Sequence, residues 1–181
     1  MFKSLLDEAL DAWTDAREGV IAELENIPAS RMDFRPAEGV RNVAELVIHI
    51  MEVSLMMTGE LTRKDTDLRR APFPDLVRMY AGDIYGLKTR KELLEALRST
   101  LADGVKEFRR AGDLHMLQCI ERFDGKPGTR LAWMHHGIAQ EMYHRGQLTL
   151  YQRLMGIEPA LTKRIRGASW DAFPRSLILN T

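Results

Sequence analysis

The chain has 181 residues, with 26 Lys+Arg against 26 Asp+Glu and a formal net charge of zero. That length suits one domain with a real hydrophobic core. The charge balance gives no support to nucleic-acid binding or a membrane-surface patch. A single cysteine, Cys119, excludes an internal disulfide, which suits a reducing cytoplasm, and reads as an inert, partly buried thiol.

In chain order, the first pattern runs from about Phe2 to Asn26, with Leu5, Leu6, Ala9, Trp13, Ala16, Val20, Ile21 and Leu24 at helical spacing. Acids at Asp7 and Glu8 come too early for a signal peptide. Pro28 ends this helix. The stretch Arg35-Pro36-Ala37-Glu38-Gly39 is rich in turn formers, and Asn42 with Glu45 has capping-box spacing, so a second helix is predicted from near Asn42 to about Thr62. Residues 63 to 88 form a long connection carrying Pro72, Pro74, Gly82 and Gly86, with a short helical turn around Leu76 to Tyr80. Thr89 and Glu92 repeat the capping-box spacing and open a third helix that runs to Ala111, where Gly112 is a natural stop.

Residues 113 to 128 read as irregular, with Met116 to Phe123 able to extend and Asp124-Gly125-Lys126-Pro127-Gly128 as a turn or loop. The fourth helix spans Thr129 to Met155. Beyond Pro159, the residues Trp170, Phe173 and Leu177-Ile178-Leu179 suggest a tail (160–181) that packs on the bundle or on a partner subunit. No repeat, linker or stretch of about 20 apolar residues that could span a membrane is present. Four helices of 20 or more residues with little strand signal predict a single all-α domain, a four-helix bundle. The long second connection allows the second and third helices to run parallel.

Two histidines lie on two of these helices among core-type residues: His49 in Glu45-Leu46-Val47-Ile48-His49-Ile50-Met51, and His144 in Gln140-Glu141-Met142-Tyr143-His144-Arg145-Gly146-Gln147-Leu148. Inward side chains from facing helices are how bundles build metal sites, and imidazole suits zinc, nickel, iron and copper. Residues four apart share a helix face, so Gln140 and His144 point the same way, with Glu141 close to that face. His136 lies two turns from His144, roughly 12 Å along the axis, too far to share one ion easily. His135 points elsewhere. A lone histidine on an apolar face is more often a hydrogen-bonded core residue than a ligand, and spacing leaves both readings open. Glu141 could be a ligand, a general base, a partner to a ligand or a salt-bridged helix acid.

The segments Ile27-Pro28, Phe34-Arg35-Pro36 and Val43-Ala44-Glu45-Leu46-Val47-Ile48-His49-Ile50, together with Trp133 through His144-Arg145-Gly146-Gln147-Leu148 and Leu154-Met155-Gly156-Ile157-Glu158-Pro159, resemble the DinB/YfiT-like superfamily over about residues 1 to 160. The resemblance implies an up-down-down-up bundle and a divalent metal, zinc or nickel, bound by three histidines. One matches His49, and the other two form a pair that matches positions 140 and 144. Here that pair reads Gln140 and His144, while Tyr143 stands where a further histidine is frequent and Glu141 where an acid is. A glutamine carbonyl can coordinate, though more weakly than imidazole. The lone cysteine and the early acids predict a cytoplasmic protein, and the resemblance also implies a homodimer and a small-molecule or thiol substrate. The expected activity is a thiol S-transferase or hydrolase, with His49, His144 and Gln140 as metal ligands and Glu141 assisting proton transfer. The alternative is a non-catalytic small-molecule-binding or dimerisation bundle whose metal site has decayed.

Overall fold

A computed structural model describes residues 4–167. The reading of Trp170, Phe173 and Leu177–Leu179 as a packed tail falls outside those residues. Four long helices carry the architecture: α1 (Leu5–Asn26), α2 (Val43–Thr62), α4 (Arg90–Ala111) and α6 (Arg130–Leu154). Their starts follow local capping chemistry. The side chains of Ser4, Asn42, Thr89 and Thr129 accept from backbone N–H groups in the first turns, and Asn42/Glu45 and Thr89/Glu92 complete both expected capping boxes. Gly112, at φ 81°, takes the backbone out of α4 in a conformation that favours glycine.

Neighbour relations settle the topology. Helix α1 packs against α4 and α6, and α2 packs against the same two, so sequential helices α1 and α2 sit across the diagonal. Trp13 meets Glu141 while Asn26 meets Gln152, so α1 and α6 run parallel. His49 meets Gln140 while Leu61 meets Arg130, so α2 and α6 run antiparallel. On α4, the Gly104 backbone lies against Trp13, whereas Arg90 reaches the Ile27 carbonyl, which makes α1 and α4 antiparallel. The order is up-down-down-up. No helix among the described residues is long and apolar enough to cross a membrane.

The connections are more structured than the sequence suggested. The crossover from α2 to α4 contains α3 (Phe73–Ala81), a helix of nine residues rather than one turn, with Pro74 in its first turn where a missing N–H does no harm. Buried Glu60 fastens α3 and its approach to α2 by pairing with Arg70 and accepting from the Tyr80 hydroxyl. After α4, the short α5 (Asp113–Met116) leads into β1 (Cys119–Glu121), which pairs antiparallel with β2 (Pro127–Thr129) across Asp124-Gly125. The expected loop at Pro127-Gly128 is therefore partly strand, and Cys119 is exposed, not partly buried. Helix α7 (Ala160–Gly167) docks on α1, where the buried Glu23 carboxylate accepts from the Ala160 and Leu161 N–H groups.

The core divides into two apolar clusters. One gathers Leu6, Leu10, Trp13, Met56, Met57, Phe108 and Met134, and the other Val20, Leu24, Leu46, Ile50, Leu97 and Leu148. A buried polar layer lies between them along the bundle axis. Arg17, fully buried, donates through Nε and Nη2 to Glu141, through Nη2 to Ser54 Oγ, and through Nη1 to Thr100 Oγ1 and the Leu97 carbonyl. The candidate site is built at this same level of the bundle.

Candidate metal centre

His49 on α2 and His144 on α6 face each other with ring centroids 4.8 Å apart at an interplanar angle of 81°. Each ring is fixed by a residue three positions further along its own helix, which the i,i+3 geometry places alongside. The Nδ1 of His49 lies 2.6 Å from Glu52 Oε1, and the Nδ1 of His144 lies 2.8 Å from Gln147 Oε1. Both partners are acceptors, so each Nδ1 donates, and His49 Nε2, 3.4 Å from the Gln140 amide nitrogen, is left as that ring's acceptor. That is the tautomer a metal-ligating imidazole requires. The chain continues one residue further: Tyr85, in the 3-10 turn Gly82–Gly86, donates its hydroxyl to Glu52 Oε2 at 2.8 Å.

Burial and hydrogen bonds set the charge states around the pair. Burial pushes the His144 pKa down and outweighs the opposing Gln147 hydrogen bond, with His49 and Arg41 adding lesser pushes in the same downward direction. Burial alone would raise the Glu52 carboxyl, but the His49 and Tyr85 hydrogen bonds outweigh it and hold Glu52 below its ordinary value. Glu52 is therefore an anion behind His49.

Gln140 completes the local geometry. Its Nε2 lies 3.4 Å from His49 Nε2, so the amide reaches the space between the two imidazoles. Rotation of a terminal amide exchanges its nitrogen for its carbonyl oxygen at little cost in shape. His49, Gln140 and His144 are thus brought together as the sequence predicted. No group of three or more His, Cys, Asp or Glu side chains among the described residues could hold a metal. The polar groups gathered here are two imidazoles and one amide.

Glu141 is not part of this cluster. One residue along an α-helix turns about 100°, and that rotation carries Glu141 from the α2-facing side into the bundle interior. There its Oε1 accepts from Trp13 Nε1 at 2.7 Å and Arg17 Nη2 at 2.6 Å, and its Oε2 from Arg17 Nε at 2.8 Å. Its place is a buried ion pair. His136 stacks on Trp133 at 4.5 Å and 12°, and Tyr143 is largely exposed with its ring edge-on to His144. His115 bonds to the Leu61 carbonyl, away from the site.

Sequence reasoning missed Glu52, Gln147 and Tyr85. The first two carried a signal, a polar acceptor at i+3 from each histidine. Tyr85 carried none, because the turn that delivers it is placed only by the packing of α3 and the turn on α2. The histidine pair itself opens onto a cleft of about 370 Å³ that is also lined by Val53, Met56, Met57, Phe73, Phe123 and Trp133.

A DinB family model matches residues 1–172. No curated protein matches the chain. Among solved structures, a DinB-like protein from Bacillus subtilis is 17% identical, with a TM-score of 0.62 over 82% of this chain and 92% of that one. YfiT from Bacillus subtilis, a probable metal-dependent hydrolase with an unusual four-helix bundle topology, is 15% identical, with a TM-score of 0.62 over 87% of this chain and 91% of that one. A mycothiol-dependent maleylpyruvate isomerase is 10% identical, with a TM-score of 0.60 over 79% of this chain and 60% of that one. At such identities the likeness speaks for the fold.

Proposed function

The chain belongs to the DinB family, and on that premise we propose that it is a metal-dependent enzyme of hydrolase or thiol S-transferase type, using a zinc or nickel ion held by His49, His144 and Gln140. One observation carries this reading: two facing imidazoles, on different helices, each have Nδ1 committed to an acceptor, and the Gln140 amide lies against His49 Nε2. A buried histidine that only fills space has no need of such a paired arrangement. Bound there, a divalent ion would supply Lewis acidity, bringing a coordinated water or thiol to ionisation near neutral pH.

The chain's own residues do the rest. Glu52 and Gln147 fix which imidazole nitrogen is available, and Tyr85 holds Glu52 in place. The apolar cleft beside the histidines excludes water from one side of the site and leaves room for a small molecule. Glu141, expected as a proton carrier, is assigned instead to holding α1 against α6, because both its oxygens are engaged by Arg17 and Trp13.

A second reading, a non-catalytic small-molecule-binding bundle with a decayed site, is favoured by the absence of a third His, Cys, Asp or Glu donor among the described residues. Elemental analysis separates the two, on protein as purified and after incubation with zinc or nickel. The enzyme reading expects about one ion per chain in wild type and none in His49→Ala or His144→Ala. If wild type retains no metal after incubation, the second reading stands.

A further inference from the structure

We infer that the substrate carries a neutral aromatic group, which lies in the cleft beyond the histidines while its reacting end faces His49 and His144. This rests on the reading above only for which end reacts. The occupant itself is argued from the walls. No Asp, Glu, Lys or Arg lines the cleft, and beyond the histidine pair its walls are Val53, Met56, Met57, Phe73, Phe123 and Trp133, with His136 stacked on Trp133. A carboxylate or ammonium there would lose its hydration without meeting a counter-charge.

The aromatic walls come from three separately built elements. Phe73 opens α3, Phe123 sits in the β1–β2 connection, and Trp133 lies on the first turn of α6. Phe73 and Phe123 meet edge-to-face at 5.4 Å and 77°, and Phe123 meets Trp133 at 5.9 Å and 54°. Trp133 is itself held by the Arg122 guanidinium over its ring and by His136 stacked on it. Phe123 and Trp133 pack on the edge of the core cluster that holds Trp13, while Phe73 remains 41% exposed and Phe123 is only half-buried, so the rings also face the cleft. Rings with electron-rich faces and positive edges, arranged in this way, favour an aromatic guest that can add to the same edge-to-face pattern. The volume, about 370 Å³, is at the lower end of small-molecule sites.

Isothermal titration of the full chain tests this, with 2-naphthalenemethanol, 2-naphthoate and cyclohexylmethanol as probes, on protein as purified and after chelation. Chelation removes any direct contact between the carboxylate and an ion, so the probe result stands apart from the metal result. The neutral naphthyl probe is expected to bind at least tenfold more tightly than the anion and the cyclohexyl alcohol in the chelated protein. Phe123→Ala and Phe73→Ala should each weaken it at least threefold, with the helical circular dichroism at the assay temperature and the metal content unchanged. Both rings are incompletely buried, so either variant should fold. Equal or tighter binding of the anion to the chelated protein overturns the inference. So does equal binding of the cyclohexyl probe, or wild-type affinity in both variants. Loss of metal binding with probe selectivity intact would sink the metal reading alone.

Discussion

Glu141→Ala separates a structural acid from a catalytic or coordinating one. In the folded protein Arg17 directs two donors at Glu141 and its remaining ones at Ser54, Thr100 and the Leu97 carbonyl, all away from solvent. Truncation leaves Arg17 Nε–H, one Arg17 Nη2–H and Trp13 Nε1–H without their acceptor and leaves the guanidinium charge uncompensated. Three buried donors at about 1–3 kcal/mol each span the roughly 3–5 kcal/mol expected for breaking a buried ion pair. For a chain of this size that corresponds to a fall in Tm of about 6–20 °C. Thermal unfolding followed by circular dichroism reads the fall, and elemental analysis on the same samples should show metal content unchanged. Arg17→Met combined with Glu141→Leu removes both charges and should recover more than half of the loss, since an apolar pair of similar volume replaces a buried ion pair at little net cost. The reasoning is refuted if Glu141→Ala melts within about 2 °C of wild type while its metal content falls.

Glu52→Gln removes the anion behind His49 but keeps a similar shape, and should weaken metal affinity about 10–100-fold with little change in melting, as read by competition with a chromogenic chelator. Tyr85 is pushed up to about 12, first by burial and then by the hydrogen bond to anionic Glu52. A pKa raised on folding gives stability that is complete below the ordinary tyrosine value of about 10 and is lost as pH rises through about 12. Wild type should therefore lose melting temperature faster than Tyr85→Phe between pH 10 and 12, and the difference in absorbance at 295 nm between the two should titrate near pH 12. Gly104→Ala places a methyl group into the Trp13 ring, which packs on bare backbone there. The gain in helix propensity of about 1 kcal/mol is outweighed by overpacking of about 1–3 kcal/mol together with a displaced Trp13–Glu141 hydrogen bond, so urea unfolding should show a net loss.

The bundle was legible because its signals are local: apolar spacing at 3.6 residues, two capping boxes and Gly112 needed no knowledge of neighbours. The crossing of the chain was legible from the length of the second connection. Short elements were not, since the three-residue strands β1 and β2 are too brief to show alternation, and α3 begins on Phe73-Pro74, where proline reads equally as a loop. At the site, His49, His144 and Gln140 were readable as faces of two helices. The role of Glu141 was not, because its partner Arg17 lies 124 positions away on a helix whose adjacency to α6 depends on the whole topology. One residue of helical rotation decides between a cleft and a core, and only the packed bundle says which neighbour fills each direction.

The substitution of glutamine for histidine at position 140 bears on strength of binding and strength of activation in opposite senses. Both side chains are neutral donors, so the formal charge of the site is the same with either. An amide oxygen donates less to a borderline-soft ion than an imidazole does, so an ion bound as proposed would be held less tightly but keep more of its positive charge. A less neutralised ion acidifies a bound water more. Glu52, Gln147 and Tyr85 preserve the orientation of the two histidines, so geometry is maintained while only the third donor is weak. Gln140→His should then raise affinity for zinc about 10–100-fold and move the ionisation of a bound water to higher pH. Chelator competition measures the first, and the pH dependence of the visible spectrum of the cobalt-loaded protein measures the second. Unchanged affinity would place Gln140 outside the coordination shell. A rise in affinity with a lower ionisation midpoint would show that donor strength does not govern this site.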